Sequence, residues 1–361
     1  MKVGIVGLPN AGKSSLFTAL TGVAAEAANY PFTTIEPNIA VVPVADERLD
    51  AVAATVRASK VVPDTIDFHD IAGLVAGAHR GEGLGNRFLA NIRETDAIVH
   101  VVRTHNDPGV VHPDGRVDPL ADIETIETEL VYADLEQAER RLERVARTAR
   151  SGERRAVAEA EWLGRLIEAL QAGRPARTVP APTDAPDAVA LLQPLTAKPV
   201  LFVANIDEGS AEDGVPAAVA AHAASVGAGA VAVSARLEAE LTELDADDAA
   251  AMRADLGLTE SGLQTVVRGA FALLDLVAFF TAGEDKPAQS WHLRSGLSVW
   301  HAAGMIHSDI QRGFVRAEVV AWDALVGAGG YAGARERGAL RLEGRDYQVA
   351  DGDVITVKFT P

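Results

Sequence analysis

The amino-acid sequence predicts an α/β protein with a mainly parallel sheet, an inserted helical hairpin and a small α+β domain in its last part. In residues 1–120 and 196–275, short apolar segments alternate with helical segments, the pattern of βαβ units whose sheet is covered on both faces. Apolar residues at coiled-coil spacing interrupt this alternation in the middle of the chain. After about residue 276, apolar and polar residues alternate, which predicts the strands of a separate domain.

Six short segments predict the strands of the sheet, because each is apolar and bounded by polar residues or glycine. They span residues 2–6, 39–44, 65–71, 97–102, 199–204 and 230–234. A chain of 361 residues is long enough for two or three domains. We therefore expect a sheet domain at 1–120 and 196–275, a helical insertion with its return linker at 121–195, and a last domain at 276–361.

The insertion is predicted to be an antiparallel hairpin of two helices. Alternating spacings of four and three residues, typical of a coiled-coil seam, separate Val131, Leu135, Ala138, Leu142, Val145 and Ala149. Ser151 and Gly152 interrupt the pattern, which then continues at Ala160, Leu163, Ile167 and Leu170. Residues 173–189 contain four prolines and little periodicity, so we expect them to form the return linker.

Composition excludes several kinds of site and of cellular location for this protein. The chain contains no cysteine, which excludes disulfides and Cys-based zinc sites and favours a reducing compartment. No apolar stretch is long enough to span a membrane, and the first residues lack the apolar core of a secretory signal. We therefore expect a cytoplasmic protein without a membrane partner.

The charge distribution leaves nucleic-acid binding open. The formal net charge is −18, which disfavours contact with nucleic acid over the whole surface. Residues 139–155, however, carry seven arginines against three glutamates. This local basic face is either an ordinary solvated helix surface or a contact for RNA.

The strongest motif lies directly after the first predicted strand. Residues 7–14 read GLPNAGKS and fit G-x-x-x-x-G-K-[ST], in which backbone N–H groups and a helix N-terminus surround phosphate oxygens. Lys13 is expected to contact the β- and γ-phosphates and to act in catalysis, and Ser14 is expected to bind Mg²⁺. The candidate nucleotide contacts in this loop are Asn10, Ala11, Gly12, Lys13, Ser14 and Ser15.

A second element resembles the switch region of a nucleotide-dependent hydrolase. Asp70 ends a predicted strand and could hold Mg²⁺ through water, while the N–H of Gly73 could contact the γ-phosphate. A hydroxyl from Thr33 or Thr34, with Thr34 preferred, would complete the metal site. Water-positioning switch proteins carry glutamine directly after this motif, but here the residue is Leu74. Hydrolysis must therefore use another group or be slow.

The element that would contact the base follows a later strand. A guanine-specific site has the pattern N-K-x-D, whereas this chain has Asn205, Ile206, Asp207 and Glu208. Isoleucine cannot replace the lysine over the base, and the longer glutamate misplaces the carboxylate that would accept from guanine. Guanine preference is thus in doubt. Ser234 and Ala235 follow the next strand and can supply backbone contacts.

Together these segments closely resemble the Obg-like ATPase (YchF) family of P-loop proteins, in the translation-factor class, over nearly the whole chain. In the first 241 residues the resemblance rests on GLPNAGKSS (7–15), YPFTTIEPN (30–38), DIAGLV (70–75), GEGLGNRFLANIRETDAIVHVVR (81–103), ANIDE (204–208) and SARLEAEL (234–241). Two later segments extend it, AAGMIHSDIQRGFVRAEV (302–319) and LEGRDYQVADGD (342–353).

The resemblance implies a Ras-like P-loop nucleotide domain, a helical insertion and a C-terminal TGS domain with a β-grasp fold. It implies ATP as the preferred substrate over GTP, Mg²⁺ as cofactor, and K⁺ as an activator linked to Asn10. The family is associated with the ribosome and with control of translation and stress responses. A histidine in a mobile loop is implicated in its catalysis, and residues 110–119 place His112 in such a loop.

The leading hypothesis is a monomeric ATPase that hydrolyses ATP slowly and associates with the large subunit or the whole ribosome, including its RNA. One alternative is a GTP-specific switch with the same fold. Another is a binding module in which the arginine-rich hairpin and the TGS domain hold ribosomal RNA whatever nucleotide is bound.

Overall fold

The structure, a computed structural model, describes residues 1–26, 38–71, 84–107, 109–112, 115–258 and 260–360. These residues form two compact units. The larger unit contains the described residues of 1–25, 35–40 and 67–270, and the smaller unit contains those of 26–34, 41–66 and 271–361. The division at residues 121, 196 and 276 drawn from the sequence stays a prediction.

The strands and helices of the described residues are numbered in chain order. The strands are β1 (Lys2–Val6), β2 (Ile39–Pro43), β3 (Lys60–Val62), β4 (Thr65–Asp70), β5 (Ala97–Arg103), β6 (Val200–Asn205), β7 (Gly229–Val233), β8 (Leu276–Thr281), β9 (Pro287–Arg294), β10 (Phe314–Ala321), β11 (Arg341–Glu343) and β12 (Asp353–Phe359). The helices up to residue 192 are α1 (Lys13–Glu26), α2 (Glu47–Val56), α3 (Leu84–Arg93), α4 (Pro119–Ala149), α5 (Arg154–Gln171) and α6 (Ala188–Leu192). The later helices are α7 (Ala217–Ser225), α8 (Ala235–Leu241), α9 (Ala246–Asp255), α10 (Gly262–Ala272), α11 (Val299–Ile306), α12 (Ser308–Arg312), α13 (Trp322–Gly327) and α14 (Tyr331–Glu336).

One sheet has the order β2-β4-β1-β5-β6-β7, and its strands β1, β5, β6 and β7 lie in the larger unit. The neighbouring pairs from β4 to β7 are parallel, as the alternating strands and helices predict. All seven residues of the central strand β5 are buried, because helices cover both faces of a sheet of this kind. The α/β class is therefore confirmed, and the carboxyl ends of β1, β5, β6 and β7 share one edge.

The helical hairpin has the core that the spacing of apolar residues predicts. Helix α4 begins at Pro119 after Asp118, whose Oδ1 accepts from the Ala121 N–H at 3.1 Å. Each predicted seam residue of both helices belongs to one apolar cluster, which also includes the fully buried Trp162. The segment after α5 adds Ala176, Ala185, Ala188 and Leu192 to this cluster. Its end is attached to α4, because the buried Asp134 carboxylate accepts from the backbone N–H groups of Leu195 and Thr196 at 2.8 Å.

The smaller unit has a mixed sheet with the order β11-β10-β12-β8-β9-β3. Strands β10 and β12 pair antiparallel, while β12 and β8 pair parallel. Helix α11 packs on this sheet through Val299, Ala302 and Ala303, all fully buried. None of the helices in the described part of the chain combines the length and the apolar character that a membrane span needs.

Candidate nucleotide-binding site

A cavity of about 510 Å³ opens at the shared edge of the larger unit's sheet. The carboxyl ends of parallel strands are where open α/β sheets bind ligands. Nine candidates from the sequence line it: Asn10, Gly12, Lys13, Ser14, Ser15, Asn205, Ile206, Glu208 and Ser234. Asp207, which belongs to the same predicted base element, also lines it, as do six residues that sequence reasoning missed: Arg103, His105, Asn106, Asp107, Val110 and Arg236.

The loop from Gly7 to Ser15, called here the phosphate end, owes its shape to two left-handed residues. Asn10 has φ +63° and Gly12 has φ +102°, and asparagine and glycine are the residues that adopt this region at lowest cost. A Cβ on Gly12 would lie 2.1 Å from Nδ2 of Asn205. The position therefore requires glycine for its backbone and for the close approach of Asn205.

Lys13 is held inside this loop. Its side chain is buried, and its Nζ donates a 2.8 Å hydrogen bond to the carbonyl oxygen of Leu8. Burial lowers the pKa of Lys13, and the negative charge of Asp70 opposes that shift. The ammonium is thus positioned over the loop at the first residue of α1, where the helix N-terminus also favours an anion.

Two of the predicted magnesium ligands are described. Ser14 is exposed at the start of α1, and Asp70 is partly buried at the end of β4. Burial raises the pKa of the Asp70 carboxyl and the charge of Lys13 opposes this shift, so the two groups are close enough to interact. Hydroxyl and carboxylate oxygens are ligands that Mg²⁺ accepts, usually beside substrate phosphates rather than in a closed protein cage. The donor set therefore fits this ion.

Three other candidates, and the leucine that follows the switch motif, have no described structure. Thr33, Thr34, Gly73 and Leu74 lie outside the described residues. Among the residues that are described, no group of three or more histidine and acidic side chains could hold a metal by itself. The predicted contribution of Thr34 and Gly73 rests on the sequence.

Asn205 joins the phosphate end to the opposite side of the cavity, called here the base end (residues 205–208 and 234–236 with Arg103, residues 105–107 and residues 109–111). Its Nδ2 donates to the Ala11 carbonyl at 3.0 Å, and its Oδ1 accepts from the Ala235 N–H at 3.1 Å. Ala11 and Ala235 do not line the cavity but are the two anchors of this side chain. Both ends of the Asn205 carboxamide are thus engaged with backbone.

Glu208 is tied to a neighbouring cation. Nε of Arg236, in the first turn of α8, donates to Oε1 of Glu208. This hydrogen bond and the charge of Glu208 raise the pKa of Arg236. Ile206 is buried, and its N–H donates to the Val233 carbonyl at 3.1 Å.

Arg103 holds the loop that follows β5 on the remaining side of the cavity. Its side chain is 2% exposed, and its guanidinium donates to the carbonyl oxygens of His105, Asp107 and Val110 at 3.0–3.1 Å. An arginine at the end of a strand that is otherwise apolar except for His100 is the sequence feature that could have drawn attention to it. Its backbone partners could not be inferred, because they follow from the path of the loop.

His112 does not line the cavity. It is buried, and its Nε2 lies 2.9 Å from Oδ2 of the equally buried Asp122 on α4. The adjacent Val111 carbonyl accepts a 2.9 Å hydrogen bond from Nδ2 of Asn10. The segment that carries His112 is thus attached to the phosphate end by Asn10 and to α4 by Asp122.

Family models match both ends of the chain. The model described as "50S ribosome-binding GTPase" matches residues 2–138. A model named YchF-GTPase_C, described as a protein of unknown function, matches residues 276–360. The first match contains the phosphate end, and the second covers the C-terminal part of the smaller unit.

Curated relatives match over the full length. A protein named ribosome-binding ATPase YchF from Bacillus subtilis is 45% identical over 99% of both chains. The protein of the same name from Haemophilus ducreyi is 48% identical, again over 99% of both chains. The solved structure of a YchF GTPase from Schizosaccharomyces pombe superposes with a TM-score of 0.86 at 31% identity, covering 99% of this chain and 97% of that one.

Proposed function

This chain belongs to the YchF family, and we propose that it is a nucleoside-triphosphate hydrolase that binds ATP in preference to GTP and associates with the ribosome. One observation carries the proposal: a single cavity joins the phosphate end to the residues 205–208 through the side chain of Asn205. A triphosphate on Lys13 would place its base beside Ile206 and Glu208.

The preference for ATP is supported by what the base end lacks. Guanine-specific sites use a lysine over the base and an aspartate that accepts from two guanine N–H groups. Here Ile206 is buried and offers no charge. Glu208 is one carbon longer than aspartate and its carboxylate already accepts from Arg236.

Catalysis would rest on charge neutralisation and positioning. The ammonium of Lys13 and the N-terminus of α1 stabilise negative charge on the β- and γ-phosphates. Ser14 and Asp70, with Thr34, would hold Mg²⁺, which when bound neutralises phosphate charge. The Gly73 N–H and His112 complete the proposed catalytic set, and K⁺ would be an activator at the exposed Asn10. Leu74 cannot orient water, so we expect basal hydrolysis at about 10⁻⁴–10⁻² s⁻¹.

Ribosome binding is supported by the names of the full-length relatives and by the charge of the hairpin. Of the seven arginines in 139–155, Arg140, Arg141, Arg154 and Arg155 form ion pairs with acidic neighbours. Arg144, Arg147 and Arg150 remain as a candidate contact for RNA. We place the protein in the cytoplasm, because that is where it would meet the ribosome, and we propose that it is a monomer.

The test is equilibrium binding of ATP and GTP to nucleotide-free protein, with Mg²⁺ and K⁺ present. We expect ATP to bind at least about tenfold more tightly, a difference of about 1.4 kcal/mol. Hydrolysis of bound ATP is then followed as phosphate release. Tighter binding of GTP, or basal hydrolysis above about 1 s⁻¹, would contradict the proposal.

A further inference from the structure

Glu208 occupies the position at which a guanine site has its aspartate. Its carboxylate is paired with Arg236. Both residues line the cavity. The side chain of Glu208 is 34% exposed and that of Arg236 is 64% exposed. A second carboxylate, Oε1 of Glu240, lies 4.0 Å from Nε of Arg236.

The backbone of Arg236 is fixed by the same residue that fixes the phosphate end. The Ala235 N–H, one residue before Arg236, donates to Oδ1 of Asn205, while Nδ2 of Asn205 donates to Ala11. Arg236 therefore projects from a defined point of the base end and is not simply a residue of a solvated helix face.

The two purines make different demands on Glu208. Guanine presents two adjacent donors, the N1 hydrogen and the N2 amino group, and a charged carboxylate that faces this edge binds both, with one donor on each oxygen. Adenine has an acceptor at N1, so a carboxylate cannot pair with it in this way. The Arg236 guanidinium already binds Oε1 of Glu208 and therefore competes with guanine for that oxygen, whereas it takes no acceptor from adenine.

We infer that Arg236 is a specificity-determining residue, which holds Glu208 in an ion pair and so disfavours guanine at the base end. The inference rests on the proposed function, since it assumes that a purine triphosphate occupies this cavity. It adds to that function a positioning residue outside the 205–208 motif, one that acts on the base through Glu208.

The experiment measures dissociation constants of full-length wild type and Arg236→Met for ATP, GTP and inosine triphosphate, all with Mg²⁺. Methionine keeps an unbranched stem and removes the charge. We expect GTP to bind at least about fivefold more tightly to the variant, within the ~1–3 kcal/mol that a bidentate base contact supplies, while ATP changes less than about twofold. Inosine lacks the N2 amino group, so inosine triphosphate should gain less than GTP.

Three further variants test whether the effect requires the Glu208 carboxylate, requires the positive charge of Arg236 and is specific to this ion pair. In Arg236→Met combined with Glu208→Gln, the gain for GTP should disappear, because a neutral amide cannot accept from both guanine donors. Arg236→Lys keeps the positive charge and should retain most of the wild-type preference. The matched control is Arg268→Met, which breaks another exposed ion pair, 2.8 Å between Arg268 and Glu260, away from the cavity and should leave all three constants unchanged.

The wild-type ratio of ATP to GTP affinity tests the proposed function. The change in that ratio on substitution tests the role of Arg236, so one hypothesis can be wrong while the other is right. An equal loss of ATP and GTP affinity in Arg236→Met would overturn the inference and show that Arg236 contacts the nucleotide directly. A gain for GTP that persists without the Glu208 carboxylate would overturn it too. An unchanged ratio has the same consequence.

Discussion

The two ends of the cavity are built in opposite ways. The phosphate end is one continuous loop, Gly7 to Ser15, whose shape is set by residues a few positions apart, as in the bond from Lys13 to Leu8. The base end assembles three segments that are distant in the sequence, and Asn205 reaches Ala11 across 194 positions. A site made locally depends on its own backbone, whereas a site made by distant segments depends on the fold that brings them together.

Removing the Lys13 ammonium should have the largest effect, because the phosphate end then loses the cation placed over its loop. For Lys13→Ala we expect hydrolysis to fall by about 10²–10³-fold, roughly 3–4 kcal/mol of transition-state stabilisation. Phosphate release from ATP in single turnover measures it. Lys60→Ala, at an exposed position of β3, is the control and should behave as wild type. Unchanged hydrolysis in Lys13→Ala would show that the chemistry occurs elsewhere.

Gly12 is where the two ends meet, so its substitution should disturb both. In Gly12→Ala the Cβ would lie 2.1 Å from Nδ2 of Asn205, at φ +102°. Backbone strain and displacement of Asn205 should weaken nucleotide binding by about 2–3 kcal/mol. Calorimetric titration with ATP measures the loss. Gly164→Ala, in α5 with open space around its Cβ, should leave ATP affinity at the wild-type value; a similar loss there would mean that the effect is not local.

Much of the fold was predictable because its patterns are local. The predicted strand at 97–102 is observed as Ala97–Arg103, since a short apolar run between polar residues has few alternatives. The seam from Val131 to Ala149 lies in one helix for the same reason. In the smaller unit, β3 and β9 were not anticipated, because they pair across more than 200 positions and carry weak periodicity of their own.

The residues of the site also differ in whether a local sequence pattern predicts them. The phosphate loop follows from its motif, since glycine, lysine and serine at those spacings dictate the backbone. Arg103 and Arg236 were missed because an arginine carries no local pattern, and only the path of other segments gives it partners. The surroundings of His112 were equally invisible: the sequence places it in a loop, whereas the structure buries it against Asp122.

Substitution of His112 tests whether hydrolysis at the phosphate end also depends on a residue outside the loop from Gly7 to Ser15. If it acts in hydrolysis as the resemblance implies, His112→Ala should lower kcat about 30-fold, roughly 2 kcal/mol of barrier, with little change in ATP affinity. Asp122→Asn provides the comparison, because it removes the charged partner of Nε2 and should leave kcat at or above the wild-type value. If both variants lose stability but keep kcat per folded molecule, His112 has a structural role alone.

Arg103 should give the smallest effect, confined to the base end. Arg103→Met removes the donor to three loop carbonyls, which water can partly replace, so ATP affinity should fall by about fivefold, roughly 1 kcal/mol. Inorganic pyrophosphate contacts only the phosphate end, and its affinity should stay unchanged. Arg294→Met, exposed at the end of β9, is the control. An equal loss of pyrophosphate and ATP affinity would show that the loop held by Arg103 also supports the phosphate end, through the bond from Asn10 to Val111, and that the two ends are one mechanical unit.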